Sequence, residues 1–556
     1  MHDVVIVGGG AAGCVLASRL SEDPGRHVLL LEAGADTPPG SVPPDILDPY
    51  PRSYFNPRYR WPGLQAHWRR AEHGAATPLE QGRIMGGSSS IMGMVALRGT
   101  PADYAEWEAV GASGWGWEDV LPYFRKLEAD ADMSDELHGL AGPVQIARNS
   151  TARWPAVARA GLAYANRTDI PFIADANGDF RDGYCAVPVA AGITRSAASL
   201  AYLGSSVRAR ANLSIVPDCR VSQILLDGRR ASGVVAECGG ERRQFHAREV
   251  VIAAGALQSP QLLLRAGIGP VRQLQSLGIP VVQDLPGVGE NLQNHPVIYL
   301  GGHLDTLARD TTTGNHNFTS FRWSSGLAGA ERSDMYLTLF NRTSWHALGR
   351  RIAGFSVVLN KPRSRGWVRL HGTGREAAIE FNFLDEALDL ERMATGVVHA
   401  CAMLASPEFT RVLRQSFPIV RSDRVRQLNR MTRGNAWRAR ALSAVLDAAP
   451  FAAEMVLSKL VASRVDLAAL ARNPELLRVY VLANIAGLAH HVGTCRMGSI
   501  HDRMAVVDPE GRVHGVQGLR VADASVMPTL PRANTFLPTV MVAEKIAAAV
   551  RARSKT

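Results

Sequence analysis

Two short stretches near the C-terminal end carry the residue types from which proton-transfer chemistry is made. His490-His491-Val492-Gly493-Thr494-Cys495 sets two imidazoles side by side, and Asn534 follows beyond Asp523-Ala524-Ser525. An imidazole titrates near neutrality, so it can stand unprotonated at rest and accept a proton as a reaction proceeds. A carboxamide can donate a hydrogen bond to an alkoxide-like oxygen without competing for that proton. In an extended segment adjacent side chains point to opposite faces, so only one of His490 and His491 can face a given site. This pair suits removal of a hydroxyl proton. Oxidising the resulting carbon also requires a hydride acceptor, which a cofactor must supply.

The other end of the chain provides a place for one. Val4-Val5-Ile6-Val7 reads as a buried parallel strand, apolar on both faces. Gly8, Gly10 and Gly13 follow with the spacing G-x-G-x-x-G across Ala11 and Ala12. The first glycine allows the tight turn, the second lets backbone approach a pyrophosphate, and the third lets helix pack on strand. The predicted helix from Cys14 to Leu20 aims its positive N-terminal end at the phosphates. Glu32 closes the next apolar run, Val28-Leu29-Leu30-Leu31, where a carboxylate can accept from the ribose hydroxyls. Strand, glycines, helix and carboxylate together predict a dinucleotide site, and the two ends of the chain are expected to build it jointly.

Composition bounds the alternatives. At 556 residues, two or three lobes are expected, and 46% hydrophobic with 20% charged residues describes a globular enzyme. The formal charge of +10 comes from arginine, since only five of the 61 basic residues are lysine. With no dense basic run interleaved with aromatics, nucleic acid is not expected as a partner. No stretch has the length of a membrane span, and the first strand begins too early to leave room for a signal peptide. The six cysteines (Cys14, Cys185, Cys219, Cys238, Cys401 and Cys495) show no C-x-x-C pair. Reduced thiols and a cytoplasmic location are therefore expected, with no metal site, and Cys495 is expected as a packed small residue.

The dinucleotide fold reads as interrupted. Thr37 to Pro62 is proline-rich and irregular, long enough to be a functional loop. Gly82-Arg83-Ile84-Met85-Gly86-Gly87-Ser88-Ser89-Ser90 offers backbone N–H groups and hydroxyls suited to a phosphate or a ring edge. Residues 103 to 128 read as helix. Strand patterns return at Leu213–Val216, Val221–Leu226 and Gly233–Ala236, then at Glu249–Ala253, which ends in a small-residue turn at Ala254 and Gly255. Mixed strands and long helices over 301–485 read as a separate lobe. The prediction is an α/β Rossmann-like domain made of residues 1–150, 191–300 and 486–556, with an α+β substrate domain made of 151–190 and 301–485. The last segment ends in a helix over Pro538 to Arg551.

Four blocks in order resemble the glucose–methanol–choline (GMC) oxidoreductases: the N-terminal glycines with Glu32-Ala33-Gly34; Gly82 to Ser89; Gly255-Ala256-Leu257-Gln258-Ser259-Pro260 through Gly269; and His490 to Gly498 with Asp523 and Asn534. The resemblance spans essentially the whole chain. Within the family, Gln81-Gly82-Arg83, Leu121-Pro122-Tyr123-Phe124, Asn360-Lys361-Pro362 and Val521 to Ser525 are most similar to stretches of furanic-alcohol oxidases. It implies non-covalent FAD, a primary alcohol substrate, molecular oxygen as acceptor, His490 as base and Asn534 as its partner. It also places Ala33, Arg83, Ile84, Gly86, Gly87, Ser88, Met92, Ala254, Gly255, Ala489 and Thr535 at the cofactor. Asp523 and Ala524 are given to the ribityl-phosphate region and Val221 to the adenine. Trp61 either lies on the cofactor or fills a loop.

Departures from the family pattern bear on these expectations. Met92 stands where most relatives have Asn, and Phe536 where a second Asn is common. Ile91 stands where histidine-linked members attach their flavin, which favours a dissociable cofactor. Ala489 replaces a Trp of the furanic oxidases, enlarging the pocket over the flavin. Arg322, Arg342 or Arg365 in the substrate lobe would favour acidic aromatic substrates. Three other readings on this fold are a dehydrogenase of choline or aliphatic-alcohol type, passing electrons to a quinone or other carrier, a hydroxynitrile lyase with structural FAD, and a non-catalytic flavin-binding module, against which the presence of both His490 and Asn534 argues. The oligomeric state is left open.

Overall fold

In the computed structural model, residues 1–309, 317–372, 376–420, 423–448, 457 and 465–553 are described. His2–Val7 forms the expected strand, with Val4 to Val7 at most 3% exposed. It pairs in parallel with Val28–Leu31 on one side and Glu241–Ile252 on the other. Glu241–Ile252 is long enough to serve two partners. Its first half runs antiparallel to Arg230–Cys238, and its second half is parallel to Leu519–Val521. Val7, Ile252 and Val521 therefore sit side by side at the carboxyl ends of three neighbouring strands. The loops after these strands, Gly8–Gly10, Ala253–Gly255 and Ala522–Ala524, open onto one crevice, the usual place for a ligand in an open parallel sheet. The meeting of the two chain ends follows from this register. The first helix, Ala11–Leu20, packs against the last, Phe536–Arg553, where Arg19 bonds the fully buried Glu544 (2.8 Å).

A second sheet runs Leu413–Pro418, Pro296–Leu304, Ile352–Leu359, Met335–Phe340, Asn317–Trp323, Gly183–Ala186, Phe172–Ile173. Alternation along its strands divides two environments. Met335, Leu337, Leu339, Phe355, Val357 and Leu359 are buried in the core under helix Ala387–Leu404. Tyr336, Thr338 and Phe340 on one strand, with Gly354, Ser356 and Val358 on the next, face the crevice.

The predicted helix over 103–128 is two helices, Pro101–Ala109 and Trp117–Leu127, divided at Gly111 and Gly114, which adopt positive φ. Cys219 and Cys238, expected as reduced thiols, are joined in a disulfide: the hairpin register sets the two directly opposite. Cys14, Cys185, Cys401 and Cys495 are free and buried. No described helix is long and apolar enough to cross a membrane.

A buried ionic knot ties the loop after Leu127 to the second sheet's approach. Burial opposes charge on His138, but hydrogen bonds to Asp130, Asp175 and Glu128 outweigh it and raise its pKa to about 10. A group raised in the fold above its ordinary 6.5 stabilises fully below that value, and the benefit disappears as pH climbs through about 10. The melting temperature is accordingly expected to fall between pH 7 and 10, and His138→Gln should lower it at pH 7 while flattening that fall.

Candidate active site

The crevice is a cavity of about 650 Å³ between the two sheets. Of the residues expected at a cofactor, Gly8, Gly10, Ala11, Ala12, Glu32, Ala33, Trp61, Gly87, Ser88, Met92, Val221, Ala254, Gly255, Ala489, Asp523, Ala524, Asn534 and Thr535 line it, with His490. Gly13, Arg83, Ile84 and Gly86 are not among its lining residues. A Cβ on Gly13 would lie 1.8 Å from the carbonyl oxygen of Gly8, so Gly13 seats helix on strand. Arg83 donates from Nε to the Ala33 carbonyl (2.9 Å) with its guanidinium over Trp61. Ile84 packs with Ile46 and Ile91, and Gly86 turns the chain at φ 85°.

At the nucleotide end the helix begins at Ala11 with Gly10 as its N-cap and no side-chain cap, which leaves first-turn N–H groups facing the cavity. A Cβ on Gly87 would meet the Cα of Gly10 at 2.9 Å, so the two glycine segments converge across this point. Glu32 accepts from the backbone N–H groups of Gly9 and Gly34 (both 2.7 Å) and still lines the cavity. Burial raises its pKa to about 7 against those two bonds. Asp523 accepts from Gly255 N–H (2.8 Å), Ser259 Oγ (2.5 Å) and Ser525 N–H (2.8 Å), joining the third and last blocks into one wall. A positive helix end, convergent backbone donors and a hydroxyl-seeking carboxylate fit a dinucleotide's pyrophosphate and ribose.

The residues expected to carry proton transfer lie elsewhere in the cavity. Both His490 and His491 line the cavity, against the expectation that only one would, and they differ in their partners. His491 packs against Phe381 with ring centroids 5.4 Å apart, and burial lowers its pKa to about 4. His490 Nε2 lies 3.0 Å from Asn534 Nδ2, and its Nδ1 lies 2.8 Å from Nδ1 of a third imidazole, His295. The protons of this chain can be assigned. His295 Nε2 faces the Asn360 carbonyl (3.1 Å), which only accepts, so Nε2 carries the proton. Burial lowers the pKa of His295 to about 3, so it is neutral and its Nδ1 is a lone pair. His490 must then donate from Nδ1, which leaves its Nε2 as a lone pair receiving the Asn534 amide. Burial, then the neighbouring His295 and His491, hold the His490 pKa well below the usual histidine range.

The frame around these groups is rigid. His490 N–H donates to Asn294 Oδ1 (3.1 Å). The loop carrying Asn534 is clamped by the fully buried Asp103, which accepts from Arg532 N–H (3.1 Å) and Nη1 (2.5 Å). Sequence reasoning missed His295. It stands alone before Pro296, with no spacing that relates it to the C-terminal stretch.

The family models for GMC oxidoreductases match the chain at residues 2–297 (N-terminal part) and 362–543 (C-terminal part). It is 41% identical to a 5-(hydroxymethyl)furfural oxidase of Methylovorus sp. (strain MP688), over 99% of this chain and 98% of that protein. It is 34% identical to an oxygen-dependent choline dehydrogenase of Burkholderia vietnamiensis, over 99% and 94%. Among solved structures it matches a pyridoxine 4-oxidase from Mesorbium loti (TM-score 0.80, 26% identity, 99% of each chain). A formate oxidase from Aspergillus oryzae shares the fold (TM-score 0.82, 23% identity, 100% and 98%). These matches define an FAD-dependent alcohol oxidoreductase. The chain belongs to the GMC oxidoreductase family.

Proposed function

We propose that this enzyme oxidises primary alcohols of aryl or furanic type to aldehydes, with His490 as base and molecular oxygen reduced to hydrogen peroxide. The observation that carries the reading is the lone pair of His490 Nε2 held in the cavity beside the Asn534 amide. A substrate hydroxyl that takes the place of the Asn534 amide at Nε2 can donate to that lone pair while its oxygen accepts from Nδ2, the two nitrogens being 3.0 Å apart without it. His295 fixes the tautomer that makes Nε2 the acceptor. FAD, held by Gly10 to Ala12, Glu32, Gly87, Ser88 and Asp523, supplies the hydride acceptor when bound. Thr535 and the first N–H groups of helix Phe536–Arg553 face the same cavity and bring positive potential to it. Ile91 is fully buried in a cluster with Ile46 and Ile84, in keeping with a dissociable flavin that acid precipitation would release.

The test is anaerobic titration of the purified protein with benzyl or furfuryl alcohol, followed by air. Bleaching of the flavin and then one peroxide per aldehyde is expected. Bleaching without peroxide points instead to a dehydrogenase, and no bleaching rejects alcohol oxidation. The depressed pKa of His490 adds a pH prediction. A histidine of ordinary pKa loses its basic form below about 6.5, whereas here flavin reduction is expected to hold its pH 7 rate as the pH falls through that value.

A further inference from the structure

We propose that the outer face of helix Arg433–Ala448 docks the enzyme on an anionic membrane surface, close beside the wall of the cavity.

The charge of this chain is concentrated in one place. Residues 411–440 hold nine arginines against one aspartate, a net +8 of the chain's formal +10. Arginines elsewhere in the substrate lobe are committed to backbone: Arg322 donates to the carbonyls of Asp179 and Arg181 (both 2.6 Å), and Arg365 to that of Pro362 (2.7 Å). Within the basic stretch, Arg414 pairs with Asp305 (3.0 Å) and Arg426 with Asp423 (2.7 Å). Arg424, Arg430, Arg433, Arg438 and Arg440 are exposed, and none of them pairs with a carboxylate among the described residues.

Helix Arg433–Ala448 presents two distinct faces. Asn435, Ala439, Ser443 and Leu446 form the inner one, and all four are buried. At about 3.6 residues per turn, Trp437, Ala441, Ala444, Val445 and Ala448 stand opposite them. These five are exposed, Trp437 at 69% and Val445 at 45%. Arg433 and Arg440 border this outer apolar stripe on one side and Arg438 on the other. The Arg440 guanidinium lies 5.4 Å from the centroid of the Trp437 ring.

An apolar stripe centred on tryptophan and rimmed by long cations is the pattern of a helix lying in a membrane interface. The indole sits at headgroup level, arginine stems lie along apolar surface while their heads reach phosphate, and each unpaired cation adds attraction to anionic lipid. An acidic protein would answer the arginines but leave the apolar stripe unexplained. The position ties this surface to the site. Val425, Leu428 and Asn429, on the preceding helix Asp423–Asn429, line the cavity. Asn429 fastens that helix to the loop after the Met335–Phe340 strand: its Oδ1 accepts from Ser344 Oγ and its carbonyl from Trp345 Nε1 (both 2.8 Å). The docking face is thus one short helix removed from the cavity.

The test is co-sedimentation of flavin-loaded enzyme with vesicles of phosphatidylcholine alone or with about 30% phosphatidylglycerol, at about 0.1 M and about 1 M salt. Expected is binding to the anionic vesicles about tenfold or more tighter than to the neutral ones, weakened about tenfold by the higher salt. Trp437→Ser should lower the partition about tenfold. Arg433→Gln, Arg438→Gln and Arg440→Gln together should lower it about a hundredfold. Melting temperatures should stay within about 2 °C of the parent, because all four side chains are exposed. No binding, equal binding to neutral and anionic vesicles, or binding indifferent to Trp437→Ser would overturn the inference. So would polyglutamate holding the enzyme as tightly as the anionic vesicles, which would assign the arginines to an acidic protein partner. Binding is read without turnover, so its failure leaves the alcohol-oxidising reading untouched, and failure of that reading leaves the docking face standing.

Discussion

His490→Ala is expected to slow reduction of bound flavin by alcohol about 10²–10⁴-fold, the range for loss of a positioned general base. Flavin content and melting temperature should change little, because His490 contributes one wall of the cavity and no element of either sheet. Stopped-flow measurement under anaerobic conditions reads the effect directly. His295→Leu provides the informative partner. It leaves Nε2 of His490 in place but removes the acceptor that pins the proton on Nδ1, so both tautomers become populated. A fall of about tenfold or more is expected for the alcohol. His295→Asn, whose carbonyl can accept from Nδ1, should recover part of it. If His490→Ala reduces its flavin at the parent rate, the base lies elsewhere and the proton chain from Asn360 through His295 has no catalytic meaning.

How much of this was readable beforehand differs from group to group for physical reasons. The glycine turn, its strand and Glu32 were legible because each answers a local constraint: backbone approach, burial on both faces, reach to a ribose. The separation of His490 from His491 was legible in part. Both rings line the cavity, and what tells them apart is their partners: His491 packs on Phe381, whereas His490 meets Asn534 and His295. His295 was illegible in kind. It is a lone imidazole at a strand's start, and it gains its meaning only from register. Pro296 opposite Gly487 brings His295 to His490. The Cys219–Cys238 pairing has the same origin, since a hairpin register decides which residues oppose one another. Local chemistry could be read from the sequence, whereas chemistry assembled across strands required the fold.

The N-terminal glycines allow a sharper separation of fold from cofactor, because their surroundings differ. Gly13→Ala drives a Cβ to 1.8 Å from the Gly8 carbonyl oxygen, which is backbone at a parallel-strand turn and cannot step aside. Both structure and flavin should suffer, with overpacking costing about 1–3 kcal/mol or more. Gly10→Ala is the opposite case. Gly10 has φ −70°, which any residue adopts, and an added Cβ would meet protein only at Ala253 O, 3.9 Å away. Apoprotein carrying Gly10→Ala should therefore melt within about 2 °C of the parent apoprotein, as surface-like substitutions do. Its added methyl, however, occupies the space where a pyrophosphate must come against the Ala11 and Ala12 N–H groups. Purified Gly10→Ala protein is expected to be nearly colourless, with flavin affinity lowered about a hundredfold or more in a titration of apoprotein with FAD. Full flavin occupancy in that variant would move the phosphates away from this turn, and with them the assignment of the crevice's nucleotide end.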